Sequence, residues 1–344
     1  MPSQTYAYPT VGEFMQIEQD LLPSLRESNP GFKHFPDEMH DSAYLEWEVD
    51  DYTTGLQQIR GMDGEPPRVR PLGRNRYHAE PGIYGEYTEI DEKQLTTRRD
   101  VGVGPMGRPM PTASMIDEKQ LHLLQRRISR QSKLIWDLMA LGRFTVLDAR
   151  GVISHQDAFL QTVFTATVPW ATVATATPLA DLRSIQILGR GTSNMFDGGA
   201  SAYMNRTTAN AMLGNTNAAD IGGKKTTGLA SLTSLADYNR VFAAEGLPQI
   251  EVFDDGYLDE TTGAFTLFIP NNTVVVVGRR PGGQPPGAYM YTRNAQNPNT
   301  APGPYTIVDD NAEKNEVPRH IRIHDGHNGG PCLRRPGQIL RMVV

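Results

Sequence analysis

Apolar positions change their period several times along the chain, and the longest stretch with a helical period runs from Ser114 to Gly142. Leu121, Leu124, Ile128, Ile135 and Leu138 recur three, four or seven residues apart, with Leu134 and Leu141 beside them. Ser114 with Asp117 three positions on reads as a capping-box-like start, and Gly142 as a stop. Acids come first and Arg126, Arg127, Arg130 and Lys133 follow, the order a helix dipole favours. Such a helix would run about 40 Å. The apolar pattern breaks at Gln131, which speaks against a coiled coil and for a spine with one face on a sheet.

Ahead of this spine the pattern is weaker. Val11 to Leu25 has helical spacing through Phe14, Ile17, Leu21 and Leu22, and Asn29-Pro30-Gly31 ends it. From Leu45 short alternating pieces such as Leu45-Glu46-Trp47-Glu48-Val49 predict strands, broken by Gly61-Met62-Asp63-Gly64-Glu65-Pro66-Pro67. This predicts a long twisted hairpin projecting from the body. Tyr87 to Arg98 reads as a strand leading back. After the spine, strands are expected over Phe144–Leu147, Phe159–Val168, Trp170–Thr175, Gln249–Phe253, Phe265–Ile269, Thr273–Val277, Ala288–Thr292, Val317–Ile323 and Ile339–Val344. Helices are expected over Pro178–Leu188, with proline at its first position, and over Thr207–Leu213 and Leu235–Ala244. This mixture predicts an α+β or mixed α/β chain.

Charge alters the picture at the N-terminal end. Across the first fifty residues ten acids, among them Glu13, Glu18, Asp20, Asp37 and Glu38, oppose only Arg26 and Lys33. With few apolar anchors this stretch reads as an arm that must lie along something else. The middle of the hairpin is basic instead: Arg60, Arg68, Arg70, Arg74 and Arg76 stand against Asp63 and Glu65. Either copies of the chain dock, loop of one on arm of the next, or both are solvated loops. Arginine outnumbers lysine 26 to 7. That fits interfacial ion pairs and equally a GC-rich genome. The net charge of −6 does not suit a nucleic-acid grip by the whole chain. Length allows two domains, or one with large excursions. The single Cys332 excludes an intrachain disulfide, and neither a signal peptide nor an apolar run of membrane-spanning length is visible. The expectation is a cytoplasmic product with no membrane contact.

Candidate chemistry is thin. His320, His324 and His327 with Asp325 could hold a metal or could be a polar strand edge. Asp37-Glu38-Met39-His40-Asp41 is most simply a solvated acidic run. Gly102, Gly104 and Gly107 match a dinucleotide fingerprint, yet no apolar strand precedes them and Pro105, Pro109 and Pro111 crowd the helix start. Ser154, His155 and Asp157 stand side by side, whereas a catalytic triad is assembled from separate parts of a fold. Lys224-Lys225 lacks the phosphate-loop spacing. The Arg126, Arg127, Arg130 group has no interleaved aromatics and reads as a solvated or intersubunit helix face. No enzyme activity and no cofactor are expected.

The order of parts, acidic arm, Gly/Pro-rich basic loop, strand into a long spine helix, then mixed α/β, resembles the lambda-type major capsid proteins of tailed phages, with the Hong Kong 97 capsid fold. Phe265-Thr266-Leu267-Phe268-Ile269-Pro270-Asn271-Asn272-Thr273-Val274-Val275-Val276-Val277-Gly278 is similar to that family's strand, Pro-Asn turn and apolar strand. Pro178-Leu179-Ala180-Asp181-Leu182 resembles the helix start of its axial domain. The resemblance implies an arm over 1–45, an extended β-hairpin loop over 46–92, a peripheral domain over 93–175 and 325–344 with the spine helix 114–142, and an axial domain over 176–324. It implies a major capsid subunit forming hexamers and pentamers of an icosahedral head around double-stranded DNA, assembled in a host cytoplasm. Its partners would be identical subunits, a portal, a cement or decoration protein, and a separate scaffolding protein, since no N-terminal coiled coil is seen. Subunit contacts are expected at Arg60, Arg68, Arg70, Arg74, Arg76, Glu13, Glu18, Asp20, Asp37 and Glu38. Some relatives link their shells by isopeptide bonds from a loop lysine. No lysine lies between Leu45 and Glu92, so a non-covalent shell is expected. An encapsulin-type compartment shares the fold and is the alternative, with an enzyme or a β-rich adhesin further off.

Overall fold

The computed structural model describes residues 21–50, 56–57, 59–60, 62, 64–65, 74–98, 110–148, 150–190, 194–215, 234–260, 262–280, 282–311 and 317–344. The spine helix spans Thr112–Leu141, about 45 Å of rise. It starts directly after Pro111, with no side-chain cap, so Ser114 is inside the first turn rather than the cap. Gly142 ends it at φ 72°, a left-handed conformation that costs glycine nothing, and its N–H closes on the Leu138 carbonyl. The helix is not one-sided. Leu134, Ile135, Trp136, Leu138, Met139 and Ala140 are all buried, because its second half lies between two sheets.

The first sheet is built on a 14-residue strand, β15 (His320–Leu333). It pairs antiparallel with β4 (Gly82–Asp91), β14 (Tyr305–Asp310) and β13 (Gly287–Tyr291). β1 (Asp37–Met39) adds in parallel to β13. The second sheet runs β7 (Thr162–Thr165), β16 (Ile339–Val343), β12 (Thr273–Val277), β8 (Ser201–Met204), β9 (Gln249–Val252). Its central strand explains the run Thr-Val-Val-Val-Val. Val275 and Val277 face the spine helix, while Val274 and Val276 enter a separate core with Leu182, Met212 and Phe242 from helices Pro178–Leu188, Arg206–Leu213 and Leu235–Glu245. A strand covered on both faces loses the alternation that marks a half-exposed one.

Several expectations need correction. Tyr87–Arg98 is not one strand: β4 stops at Asp91, whose carboxylate accepts the Gln94 N–H and caps a helix over Glu92–Thr97. Trp170–Thr175 forms turns, and Trp170 is fully buried with its indole N–H donated to Asp181. Phe265–Ile269 does not pair with Thr273–Val277. Its first three residues, β11 (Phe265–Leu267), form a ribbon with β10 (Gly256–Leu258) and are largely exposed. Of Val317–Ile323 only His320–Ile323 is strand, the start of the much longer β15. The sheets also cross the boundaries expected at 175 and 324. β7 and β16 join the sheet of β8, β9 and β12, whereas β13 and β14 join that of β4 and β15.

Candidate subunit-contact surfaces

The projecting hairpin is built from β2 (Leu45–Asp50) and β3 (Arg74–Ala79), antiparallel with Leu45 opposite Ala79 and Trp47 opposite Tyr77. Alternation gives it two unlike faces. Leu45, Trp47 and Val49 are buried on Ala288, Met290 and Cys332 of the first sheet, which fastens the base. The other face carries Arg76 paired with Glu46 at 2.5 Å and Arg74 with Glu48 at 3.2 Å. Ion pairs this exposed add at most about 1 kcal/mol. Beyond the strands, Leu56, Ile59 and Met62 are 97–99% exposed, beside the exposed Arg60. Burying such side chains is worth about 1.5–3 kcal/mol each, so the fold of the single chain leaves a sizeable gain unrealised at this tip. Arg68 and Arg70 lie outside the described residues.

Glu13, Glu18 and Asp20 also lie outside the described residues, and of the arm expected over 1–45, residues 21–45 pack on the body. From residue 21 the chain belongs to the body. Leu21, Leu22 and Leu25 pack against the main core, and Phe32 and Phe35 are part of it. Asn29 donates to Ser132 and accepts from the Trp136 indole on the spine helix. Arg26 holds Asp37, and bonds Gln131 and Tyr291 at 2.9 and 3.2 Å. Asp37 is thus engaged within its own chain. So is Glu38, in a two-pronged pair with Arg334 at 2.8 and 2.5 Å. The excess of acids masked the apolar anchors that seat this segment.

The three spine arginines divide. Arg127 is no solvated residue: it is buried, 2.8 Å from the equally buried Asp325. Arg126 forms a network with Glu86 and Glu260, and holds the Glu86 carboxyl below the usual carboxylate range. Arg130 is exposed at the rim of a cleft of about 450 Å³ between the spine helix, β4 and the hairpin of β5 (Arg143–Leu147) and β6 (Ile153–Ala158).

The remaining candidates disperse. His320 bonds Asn311 at 2.9 Å, His324 lies against Tyr87, and His327 is buried with its Nε2 2.8 Å from the Tyr289 hydroxyl. Among the described residues no group of three or more His, Cys, Asp or Glu could hold a metal. Asp41 pairs with Arg293 at 2.6 Å, which holds its carboxyl below the usual range. His155 meets Tyr84 and turns into the fold instead of joining Ser154 and Asp157 in a catalytic set. The glycines at 102, 104 and 107 and Lys224-Lys225 lie outside the described residues. No helix among the described residues is long and apolar enough to cross a membrane.

A family model described as phage major capsid protein E matches residues 29–324. The chain is similar to the crystal structure of a protein assigned as the capsid protein of a prophage from E. coli CFT073. Identity is 12%, coverage is 95% of this chain and 98% of that one, and the TM-score is 0.57. It is also similar to a phage-related protein from Bordetella bronchiseptica RB50, at 10% identity, 94% and 95% coverage and a TM-score of 0.52. Comparison with curated proteins yields no match. At such identities the two structures speak for the fold, Hong Kong 97-like and α+β, and the family match speaks for the role.

Proposed function

Because this chain belongs to the phage major capsid protein E family, and so is a structural subunit of a virion capsid whose copies build a shell, we propose that those copies form hexamers and pentamers of an icosahedral head around double-stranded DNA. The observation that carries the geometric half of this reading is the hairpin. Its base is locked to the body by Leu45, Trp47 and Val49, while Leu56, Ile59 and Met62 at its far end touch nothing of their own chain that shields them. A projection fastened at one end and apolar at the other suits a repeated, head-to-tail contact that closes into rings.

In this reading Arg60, Arg68 and Arg70 approach a neighbour's Glu13, Glu18 and Asp20, and Arg74 and Arg76 join them by exchanging their exposed partners Glu48 and Glu46. Asp37 and Glu38, already paired internally, contribute to the subunit rather than to the contact. The sheet of β4, β13, β14 and β15 with the spine helix forms a peripheral domain. The sheet of β7, β8, β9, β12 and β16 with its three helices forms an axial domain around the capsomer centre. DNA is enclosed without being read, which suits a net charge of −6. A portal, a separate scaffolding protein and a cement protein complete the head, and assembly takes place in the host cytoplasm. An encapsulin would share the fold, and the family match favours the phage head.

The test is expression of the full chain followed by electron microscopy. Closed shells with five-fold vertices are expected, and particles that remain monomeric at all concentrations would refute the reading.

A further inference from the structure

Two histidines carry a feature that neither shell assembly nor the fold requires. His155 on β6 and His327 on β15 meet beneath the cleft between the spine helix, β4 and the β5–β6 hairpin. They share Tyr84 on β4. Its hydroxyl lies 2.6 Å from His155 Nδ1, and its ring stacks on the His327 imidazole with centroids 5.1 Å apart. On the far side His327 Nε2 bonds the Tyr289 hydroxyl of β13, while Nδ1 is buried without a hydrogen-bond partner. The His155 ring, edge-on to Phe144 of β5, sits in a slot left by two glycines: a Cβ on Gly82 would lie 2.4 Å from the ring and one on Gly330 2.6 Å from it. Tyr84 and His155 are thus a polar fastening between the sheet and the hairpin that covers it.

Most charges around this fastening are already committed, and Arg130, exposed at the cleft rim, faces Tyr84 from the spine helix. From the spine helix Arg127 faces His327, paired with Asp325 of β15. From the N-terminal segment Arg26 faces it as well, paired with Asp37 of β1. On β6 itself the Asp157 carboxylate accepts the Ala158 N–H. The other neighbours, Tyr84, Tyr289 and Tyr291, are neutral hydroxyls whose ionisation burial pushes up. A proton added to His327 therefore creates a buried cation beside two guanidiniums, and one added to His155 a buried cation with no carboxylate paired to it.

We propose that Tyr84, His155 and His327 form an acid-released latch: protonation of the imidazoles favours a state in which the β5–β6 hairpin lifts from the sheet and the buried ring cluster at the floor of the cleft meets water. Burial lowers both imidazoles, His155 to about 4, whereas in the lifted state they regain the ordinary value near 6.5; between those values acid protonates the lifted form first, so the latch is closed near neutrality and yields in mild acid. Its release is local. The strands β4 and β15 are held by nine further residue pairs besides His327 opposite Tyr84.

Hydrogen exchange of the full chain from pH 7.5 to 4.5, corrected for intrinsic rates, tests this. Exchange in 143–158 is expected to rise about tenfold or more toward pH 4.5, while the core strand Thr273–Val277 stays protected. In the double variant H155Q/H327Q, which keeps side-chain hydrogen bonding and cannot be protonated, the rise is expected to vanish. Y84F is expected to raise exchange in 143–158 already at pH 7.5. Loss of protection spread evenly over the chain, a double variant that titrates like the parent, or a silent Y84F would each overturn the latch. Should the double variant not fold, Y84F and the pattern of the parent chain decide alone.

Discussion

The second sheet, a mixed one, and the antiparallel β2–β3 hairpin are both made of short strands, yet they solve opposite problems. β12 is buried on both faces, by the spine helix on one side and three helices on the other, so every valine in it is used by its own chain. The hairpin is buried on one face at its base and leaves Leu56, Ile59 and Met62 uncovered at its tip. One region closes its accounts within a subunit, and the other does so only between subunits. Stability of the subunit and stability of the shell should therefore be separable by mutation.

In order of effect on the isolated subunit, the first break comes at the junction of the two sheets. Trp136, fully buried and bonded to Asn29, stacks on Phe253. Trp136→Ala should cost about 3–5 kcal/mol in chemical denaturation, and no shell should form. Arg127→Ala leaves Asp325 as a buried uncompensated charge and should cost about as much, 3–5 kcal/mol. The paired change Arg127→Met with Asp325→Asn should recover most of that loss, which a denaturation midpoint reads directly.

Acid comes next. Burial, with Lys33 adding to it, lowers the His34 imidazole to about 4, and its Nε2 lies 2.8 Å from the Tyr203 hydroxyl. Above about pH 6.5 folded and unfolded chains are both neutral here. Between there and pH 4 only the unfolded chain takes the proton, so stability falls across that window and levels off below it. In His34→Gln the decline between pH 7 and pH 4.5 should be shallower.

At the small end lie the changes that sharpen the contrast. Leu56, Ile59 and Met62 changed together to serine should leave subunit melting within about 1–2 °C of the parent, since exposed positions contribute little. Shell formation by light scattering should nevertheless fail. Equal loss of both properties would mean that the tip is covered within its own chain. The smallest expected change is none: with no lysine between Leu45 and Glu92, mature particles on a denaturing gel should run as a single band at the 38.0 kDa monomer. A ladder would show covalent links.

Much of this contrast is legible in residue order. The spine, the helix at Pro178 and the four-valine strand announce themselves because period and punctuation agree, down to proline at a first turn and glycine at a stop. What fails does so where two signals compete. In residues 21–45 the acids dominate the composition, while the five side chains that fix the segment, Leu21, Leu22, Leu25, Phe32 and Phe35, are too widely spaced to register as a face. Arg127 looks like its neighbours Arg126 and Arg130 in sequence. Only β15, nearly 200 residues later, supplies the carboxylate that draws it inside. The length of β15 is hidden for another reason. Gly326, Gly329, Gly330 and Pro331 read as turn formers, yet several sit where a side chain would strike a neighbour: a Cβ on Gly326 would lie 2.4 Å from the Tyr84 carbonyl. Partner choice, the one property on which the contact surfaces depend, has no local signature beyond uncovered apolar groups and opposite charge.

Cys332 sits at the floor of the hairpin's anchorage, wholly enclosed, with its thiol pushed up by burial and thus poorly nucleophilic. The native chain is for that reason silent to thiol reagents. A cysteine introduced at any surface position becomes the sole reactive handle, so fluorophores, spin labels or paired crosslinks can chart which surfaces meet in an assembled particle without first removing anything from the natural sequence.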